Sequence, residues 1–290
     1  MNKPWLVISF SGGRSSAYMT WRILNDKYYT DKYNIVVIFA NTAQEHELTL
    51  EFINNCDKYF NFNTIWVEAE VHHVKRKGTT HRIVTYQTAS RNGEPFEQVI
   101  TKYGIPNKKF PHCTRELKLA PIQSVMKLMG LNFKNCTTAI GIRADETRRV
   151  SKSADIKNII YPLVEWGVTK DDVLDWWSQQ PFDLEIKEHQ GNCKWCWKKS
   201  DKKLFTNIRD NPEWFEFPMM MEAKYPNVGA DCDGEVKRTF FRGGRSTIQL
   251  FQQYELSKNN LLPINNEESG GCSESCEVFT LDNVANNTDT

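Results

Sequence analysis

No stretch of this 290-residue chain is both long and free of charge. A membrane-spanning helix needs about 20 consecutive apolar residues, so none is expected. The chain enters Pro4-Trp5-Leu6 with neither a basic segment nor a long apolar core, and we expect no signal peptide and a cytoplasmic location. Charge of neither sign dominates: 37 Lys and Arg stand against 36 Asp and Glu, leaving a net charge of +1. That removes the electrostatic basis for bulk nucleic-acid binding, though local basic clusters remain. A solenoid-type repeat is missing too. There are only eight cysteines, with no secretory signal beside them. This points to a reducing compartment, where thiols serve metal or redox chemistry more than disulfides. What remains is ordinary globular composition, 40% hydrophobic and 25% charged, with room for one α/β core and a smaller appended region.

The most informative feature that is present is Ser9-Phe10-Ser11-Gly12-Gly13-Arg14-Ser15-Ser16-Ala17, directly after the apolar run Leu6-Val7-Ile8. A short strand breaks into a Ser/Gly loop and then a helix, with Ala17, Tyr18, Trp21 and Leu24 on one face. Glycines let a backbone approach a ligand closely, and the free amides of a helix start point at it, which suits phosphate oxygens. The stretch lacks the lysine and spacing of a Walker loop and does not match the dinucleotide fingerprint. The same residues would also serve as a plain turn joining strand to helix.

Ile35–Phe39 reads as a buried parallel strand followed by the polar loop 40–45. A helix follows from near Glu45 to Phe60, with Leu48, Phe52 and Cys56 inward and Tyr59 close by, and then a strand over Thr64–Val67. This alternation predicts a doubly wound, mainly parallel α/β sheet, whose ligands bind at the carboxyl ends of the strands. Residues 71–110 read as a long polar excursion with a short helix at Pro95–Lys102. Further elements are a helix from Pro121 to Gly130, a strand over Cys136–Ile142, and a helix capped by Thr169 with Val173, Trp176 and Trp177 buried. The expected organisation is a nucleotide-binding α/β domain over 1–180, a cysteine-containing region over 181–256 and a polar, weakly ordered tail over 257–290.

Gly191-Asn192-Cys193-Lys194-Trp195-Cys196 contains a CxxC, flanked by Trp195 and Trp197 and followed by Lys198, Lys199, Lys202 and Lys203. Cys272 and Cys276 form a second pair, and Cys113 stands alone in the loop before Pro121. An iron–sulfur cluster, a structural zinc and a redox dithiol all suit such thiols. Cys56 and Cys136 lie on apolar elements and read as small buried hydrophobes. The lysines and tryptophans could grip a nucleic acid by charge and stacking, or merely solvate a surface and pack around the cysteines.

The order of these motifs resembles the phosphoadenosine phosphosulfate (PAPS) reductase family, within the PP-loop adenine nucleotide α-hydrolase-like superfamily, and in particular its compact phage and prophage members. Matching stretches are Ser9–Ala17, Phe39–Thr42 with Glu45, His112–Lys118, Gly141–Arg149, Tyr161–Trp166, Gly191–Cys196 and Phe241–Ser246. The resemblance implies that Ser9, Ser11, Gly12, Gly13, Arg14, Ser15 and Ser16 wrap nucleotide phosphate, with Gly141 beside them. It implies catalytic roles for Arg143 and Ser15, with Arg148 a further phosphate contact ahead of Arg149, and nucleotide or Mg2+ contacts for Asn41 and Glu45. Glu45 also suits a helix N-terminus as a dipole-stabilised charge. Cys113 and the CxxC lie 80 residues apart, as in adenylyl-sulfate reductases. The resemblance therefore implies a 4Fe-4S cluster on Cys113, Cys193 and Cys196, completed by Cys272 or Cys276 ahead of Cys232, with Zn2+ as competitor.

Two departures bear on function. No Glu-Cys-Gly-x-His tail with its nucleophilic cysteine is present. The Ser-Gly-Gly loop resembles that of the ATP-splitting pyrophosphatases and the ATP sulfurylase small subunit more than that of the sulfonucleotide reductases, with Ser15 where the superfamily's loop usually has Asp. The expectation is therefore an enzyme that uses ATP and Mg2+, cleaves between the α- and β-phosphates and adenylates an acceptor, a small molecule or a nucleic acid. Iron–sulfur chemistry would assist sulfur or electron transfer. The alternatives are a thiol-dependent PAPS or APS reductase served by a thioredoxin-like reductant, and a non-catalytic nucleotide sensor or host-modulating binding protein acting in the host cytoplasm.

Overall fold

The computed structural model describes residues 3–260 apart from 75, 133 and 230–236. Its first half runs β1 (Trp5–Ser9), α1 (Arg14–Asn25), α2 (Lys27–Lys32), β2 (Asn34–Asn41), α3 (Glu47–Phe60), β3 (Ile65–Val71), β4 (Thr79–Val84) and α4 (Glu94–Tyr103). A π-type turn at Arg115–Leu119 leads into α5 (Ala120–Leu128), followed by β5 (Cys136–Ile140), β6 (Ile159–Ile160), α6 (Pro162–Glu165) and α7 (Lys170–Ser178). Beyond these lie α8 (Asp201–Asp210), α9 (Glu216–Lys224) and α10 (Thr247–Ser257).

Among the described residues six strands form one sheet in the order β4-β3-β2-β1-β5-β6. All pairs are parallel except β3 with β4. This is the expected doubly wound α/β architecture. Residues 71–110 are not all excursion, however: Thr79–Val84 is an antiparallel edge strand, polar because it is half exposed.

The strand period of two divides the core. Leu6 and Ile8 face a cluster built with Ala17 and Met19 of α1, Phe52 and Ile53 of α3, and Val173 and Trp177 of α7. Val7 faces the opposite cluster, with Ile122, Val125 and Met126 of α5. Of the residues expected to face inward on α3, Phe52 and Cys56 do so, whereas Tyr59 is exposed and Thr49 and Ile53 complete the stripe. A third apolar cluster joins Ala69, Phe96 and Val99 to Trp195, Trp197, Leu204 and Phe217, so the cysteine-containing region packs on β3 and α4.

From β1 the chain winds outward through β2 to β3, then returns to place β5 on the other side of β1, with Ser9 opposite Ile140. The loops leaving β1 and β5 therefore diverge at the switch point of the sheet, where ligands of open α/β folds bind. Gly141 keeps them close, since a Cβ there would lie 2.8 Å from Ser16 Cα.

Candidate functional site

A cavity of about 590 Å3 opens at this switch point. Its floor is the loop from Ser11 to Ser16, and Gly141, Arg143 and Glu45 line it as well. Gly12 takes a left-handed φ of +78°, and a Cβ on it would meet Ile53 Cδ1 at 2.8 Å, so only glycine makes this turn without strain. Gly13 is the N-cap of α1 and supplies no side chain, so the first turn carries no side-chain cap. Helix amides left in this way point their partial positive charge into the cavity. Ser11 Oγ and Ser16 Oγ lie 3.0 Å apart, and Ser16 donates to Gly13 O at 2.9 Å, which fixes the curl of the loop.

The buried Arg143 ties the loop after β5 to the one after β1. Its Nη1 donates to Ser15 Oγ at 3.1 Å, while Nε and Nη2 hold Asp145 at 3.0 and 2.9 Å. These bonds hold the Asp145 carboxyl below the usual carboxylate range. Glu146 lies 3.4 Å from Arg143 and 2.6 Å from Arg149. Arg14 pairs in a fork with Asp183 at 2.6 and 2.9 Å and also donates to Leu184 O, closing the cavity on the α7 side. Glu45 accepts from Thr42 Oγ1 at 2.8 Å and from the amides of Thr42 and Gln44 at 3.0 and 3.3 Å. It lies ahead of α3, which begins at Glu47 with His46 as its cap.

Three of the proposed contacts fall outside the cavity wall. Ser9 is a buried end of β1. Asn41 is fully buried and spent within the protein: it donates to Glu68 Oε1 at 2.6 Å and to Ser90 O at 2.8 Å, and accepts from Ala43 N at 3.1 Å. Arg148 is exposed, and it is Arg149 that lines the cavity, reversing the order in which the two arginines were taken. Sequence reasoning missed the apolar wall of Val173, Leu174, Leu184 and Ile186, and the cations Lys118, Lys170 and Lys187 on the rim. The signal for the wall lay in the α7 stripe and the alternating Leu184-Glu185-Ile186.

The cysteine turn adjoins this cavity, since Gly191 and Asn192 line it directly. Cys193 Sγ is 3.5 Å from Thr42 Oγ1, and Cys196 is buried. Cys113 and Cys193 pack against the same apolar cluster, and Lys198 Nζ reaches Thr114 Oγ1 at 3.4 Å, drawing the two cysteine stretches together. Among the described residues no three His, Cys, Asp or Glu side chains form a metal-binding group. Cys232, Cys272 and Cys276 lie outside the described residues. Thiols are the donor type that soft metals take, and two adjoining loops carry them here, but among the described residues they are not gathered into one metal-binding group. Cys56 and Cys136 are buried, and burial raises both thiols.

Of the lysines and tryptophans beside the CxxC, Trp195, Trp197 and Lys199 are turned inward. Trp195 and Trp197 are 1% and 6% exposed and offer no stacking face. Lys199 is 1% exposed, and its ammonium donates to Gly191 O at 2.7 Å and Cys193 O at 2.9 Å. It braces the turn from inside.

No family model matches the chain. It is 31% identical over 283 residues to the nin region protein ORF290 of Escherichia phage lambda, a match covering 94% of each chain. The chain belongs to the family of that phage protein. A protein of Methanocaldococcus jannaschii, itself uncharacterized, is 28% identical over 184 residues, covering 60% of this chain and 36% of its own. The U34-tRNA thiolase NcsA of Methanococcus maripaludis, solved with its 4Fe-4S cluster, aligns with a TM-score of 0.37 at 16% identity, covering 96% of this chain and 80% of NcsA. Among the described residues no helix is long and apolar enough to cross a membrane.

Proposed function

We propose that this chain is a PP-loop enzyme that cleaves ATP between the α- and β-phosphates and adenylates an acceptor. One observation carries the reading: the uncapped start of α1, the Ser-Gly-Gly loop and Arg143 meet in a single cavity at the sheet's switch point. Backbone amides over 13–16 and the hydroxyls of Ser11 and Ser16 hold the β- and γ-phosphates. Arg143, oriented by Ser15 and Asp145, stabilises the charge that develops at the α-phosphate. The apolar wall of Val173, Leu174, Leu184 and Ile186 takes one face of the adenine. Mg2+ would enter with the nucleotide, and Glu45, which lines the cavity and has no ion pair among the described residues, would hold it.

In the step itself, a nucleophilic atom of the acceptor attacks the α-phosphorus. The new bond forms as the bond from that phosphorus to the bridging oxygen breaks, and pyrophosphate leaves with the electron pair. Cys113, Cys193 and Cys196 would hold an iron–sulfur cluster or zinc at the edge of the cavity; a bound cluster supplies electron or sulfur transfer beside the adenylated acceptor.

The test is product analysis with anaerobically purified protein. Pyrophosphate release that requires ATP and Mg2+ supports the proposal. Sulfite release from PAPS or APS would replace it with a thiol-dependent sulfonucleotide reductase. Tight nucleotide binding with neither product would make the chain a sensor.

A further inference from the structure

The loop over 41–45 belongs to two sites at once. On one side the Glu45 carboxylate lines the cavity. On the other, Gln44 takes two hydrogen bonds from the cysteine turn: Trp195 Nε1 donates to its Oε1 at 2.5 Å, and Lys194 N to its carbonyl at 2.9 Å. Thr42 Oγ1 makes a third link, 2.8 Å from each Glu45 oxygen and 3.5 Å from Cys193 Sγ. Every residue from Asn41 to Glu45 is buried. Ala43 sits between the two anchors at a φ of +61°, in a region that a residue with a Cβ seldom adopts. Such strain persists only where surrounding bonds over-determine the backbone. Here those bonds are the Glu45 carboxylate, the Asn41 side chain and the cysteine turn.

We propose that this loop couples occupancy of the phosphate cavity to the position of the cysteine turn, with Thr42 and Gln44 as positioning residues. The argument rests on the reading of the cavity as a phosphate site. An arriving polyphosphate with its cation competes for the Glu45 carboxylate, which holds the amides of Thr42 and Gln44. Drawing that carboxylate toward the ligand loosens both amides and the Thr42 hydroxyl. The carbonyl and side chain of Gln44 then shift against Lys194 and Trp195. The loop is closely packed, so a shift at one anchor is passed to the other rather than absorbed between them. Nucleotide binding and the geometry of the thiols are thereby linked in both directions, as any coupling free energy requires.

The experiment uses full-length protein as purified without oxygen, labelled with 5-fluorotryptophan, with the Trp195 resonance assigned through Trp195→Phe. Magnesium pyrophosphate is the titrant, and calorimetry on the same samples reports binding. In the wild type the Trp195 fluorine signal should shift with the same midpoint as calorimetric binding. In Thr42→Val binding should persist while the shift shrinks by about threefold or more. Thr42→Ser keeps the hydroxyl and should restore it. A Trp195 signal that stays fixed at saturation, or that moves fully in Thr42→Val, overturns the coupling.

If Thr42→Val does not fold, the wild-type titration and Thr42→Ser still decide the matter. If pyrophosphate does not bind, the phosphate-site reading fails, and Glu45→Ala then tests the coupling alone. It removes the acceptor of Thr42 N, Gln44 N and Thr42 Oγ1, so the Trp195 signal of the ligand-free protein must move. An unmoved signal overturns the loop's role.

Discussion

Arg143 Nη1 and Ser15 Oγ lie 3.1 Å apart, joining residues separated by 128 positions at the mouths of two adjacent parallel strands. The hydroxyl orients the guanidinium without neutralising it. A carboxylate at the same position, as the resemblance would have it, would add a full negative charge to the wall of an anion site. Ser15→Asp should therefore bind ATP more weakly than Ser15→Ala. We expect Arg143→Ala to lower ATP affinity by about 10- to 100-fold and Ser15→Ala by about 3- to 10-fold, read by calorimetry.

The two loop glycines should separate binding from stability. A Cβ at Gly13 meets only Ser11 Oγ, at 3.8 Å, so Gly13→Ala should melt like the wild type yet bind ATP or pyrophosphate more weakly. Gly12→Ala carries a Cβ into Ile53 at positive φ and should lose about 2 kcal/mol of stability. Thermal melts beside titrations check both. Equal nucleotide affinity in Gly13→Ala and wild type would remove the loop from the binding site.

Metal content separates the thiols into classes. Cys113→Ser, Cys193→Ser and Cys196→Ser should each deplete bound iron and sulfide, or zinc, whereas Cys56→Ser and Cys136→Ser should not. Elemental analysis and the visible spectrum of anaerobic protein report this directly. A colourless protein with stoichiometric zinc would keep the site and reject the cluster. Testing Cys272→Ser and Cys276→Ser in the same way assigns the remaining ligand.

His189 is buried, and burial with the Lys187 and Lys199 charges lowers its pKa to about 4. Among the described residues neither ring nitrogen has a hydrogen-bond partner. In the unfolded chain the same group titrates near 6.5, so the unfolded state binds the extra proton first as pH falls. Stability should decline from about pH 6.5 to about pH 4, by up to about 3 kcal/mol, and level off below. His189→Gln should flatten this part of the profile in urea unfolding at successive pH values.

The strand–loop–helix at 5–25 was legible because three signals agree there: an apolar run, consecutive glycines and a helical stripe. The same holds for α7, whose Thr169 and Asp172 cap each other as their spacing implies. Edge strand β4 was not legible, since half-exposed Thr79–Val84 has no apolar run to announce it. Asn41 looked like a ligand because its partner Glu68 lies 27 residues on, beyond any local pattern. Arg148 and Arg149 sit in a 3-10 turn, where one residue of offset rotates a side chain by about 120°. Composition alone does not set that phase. The inward turn of Lys199 within the lysine run was hidden for a similar reason, since its burial depends on two carbonyls that only the folded turn supplies.

Lys199 also bears on how the cysteine turn comes to exist. Two carbonyls of the turn are gripped by its ammonium, and the Asn207 amide holds a third, Lys194 O, at 2.8 Å. The backbone between Gly191 and Lys194 is therefore preorganised by the protein's own groups. Small zinc modules behave otherwise, since they gain their fold only when the metal arrives. Any ion that the turn took up would meet a scaffold already built, held by Lys199 and Asn207 before it arrived.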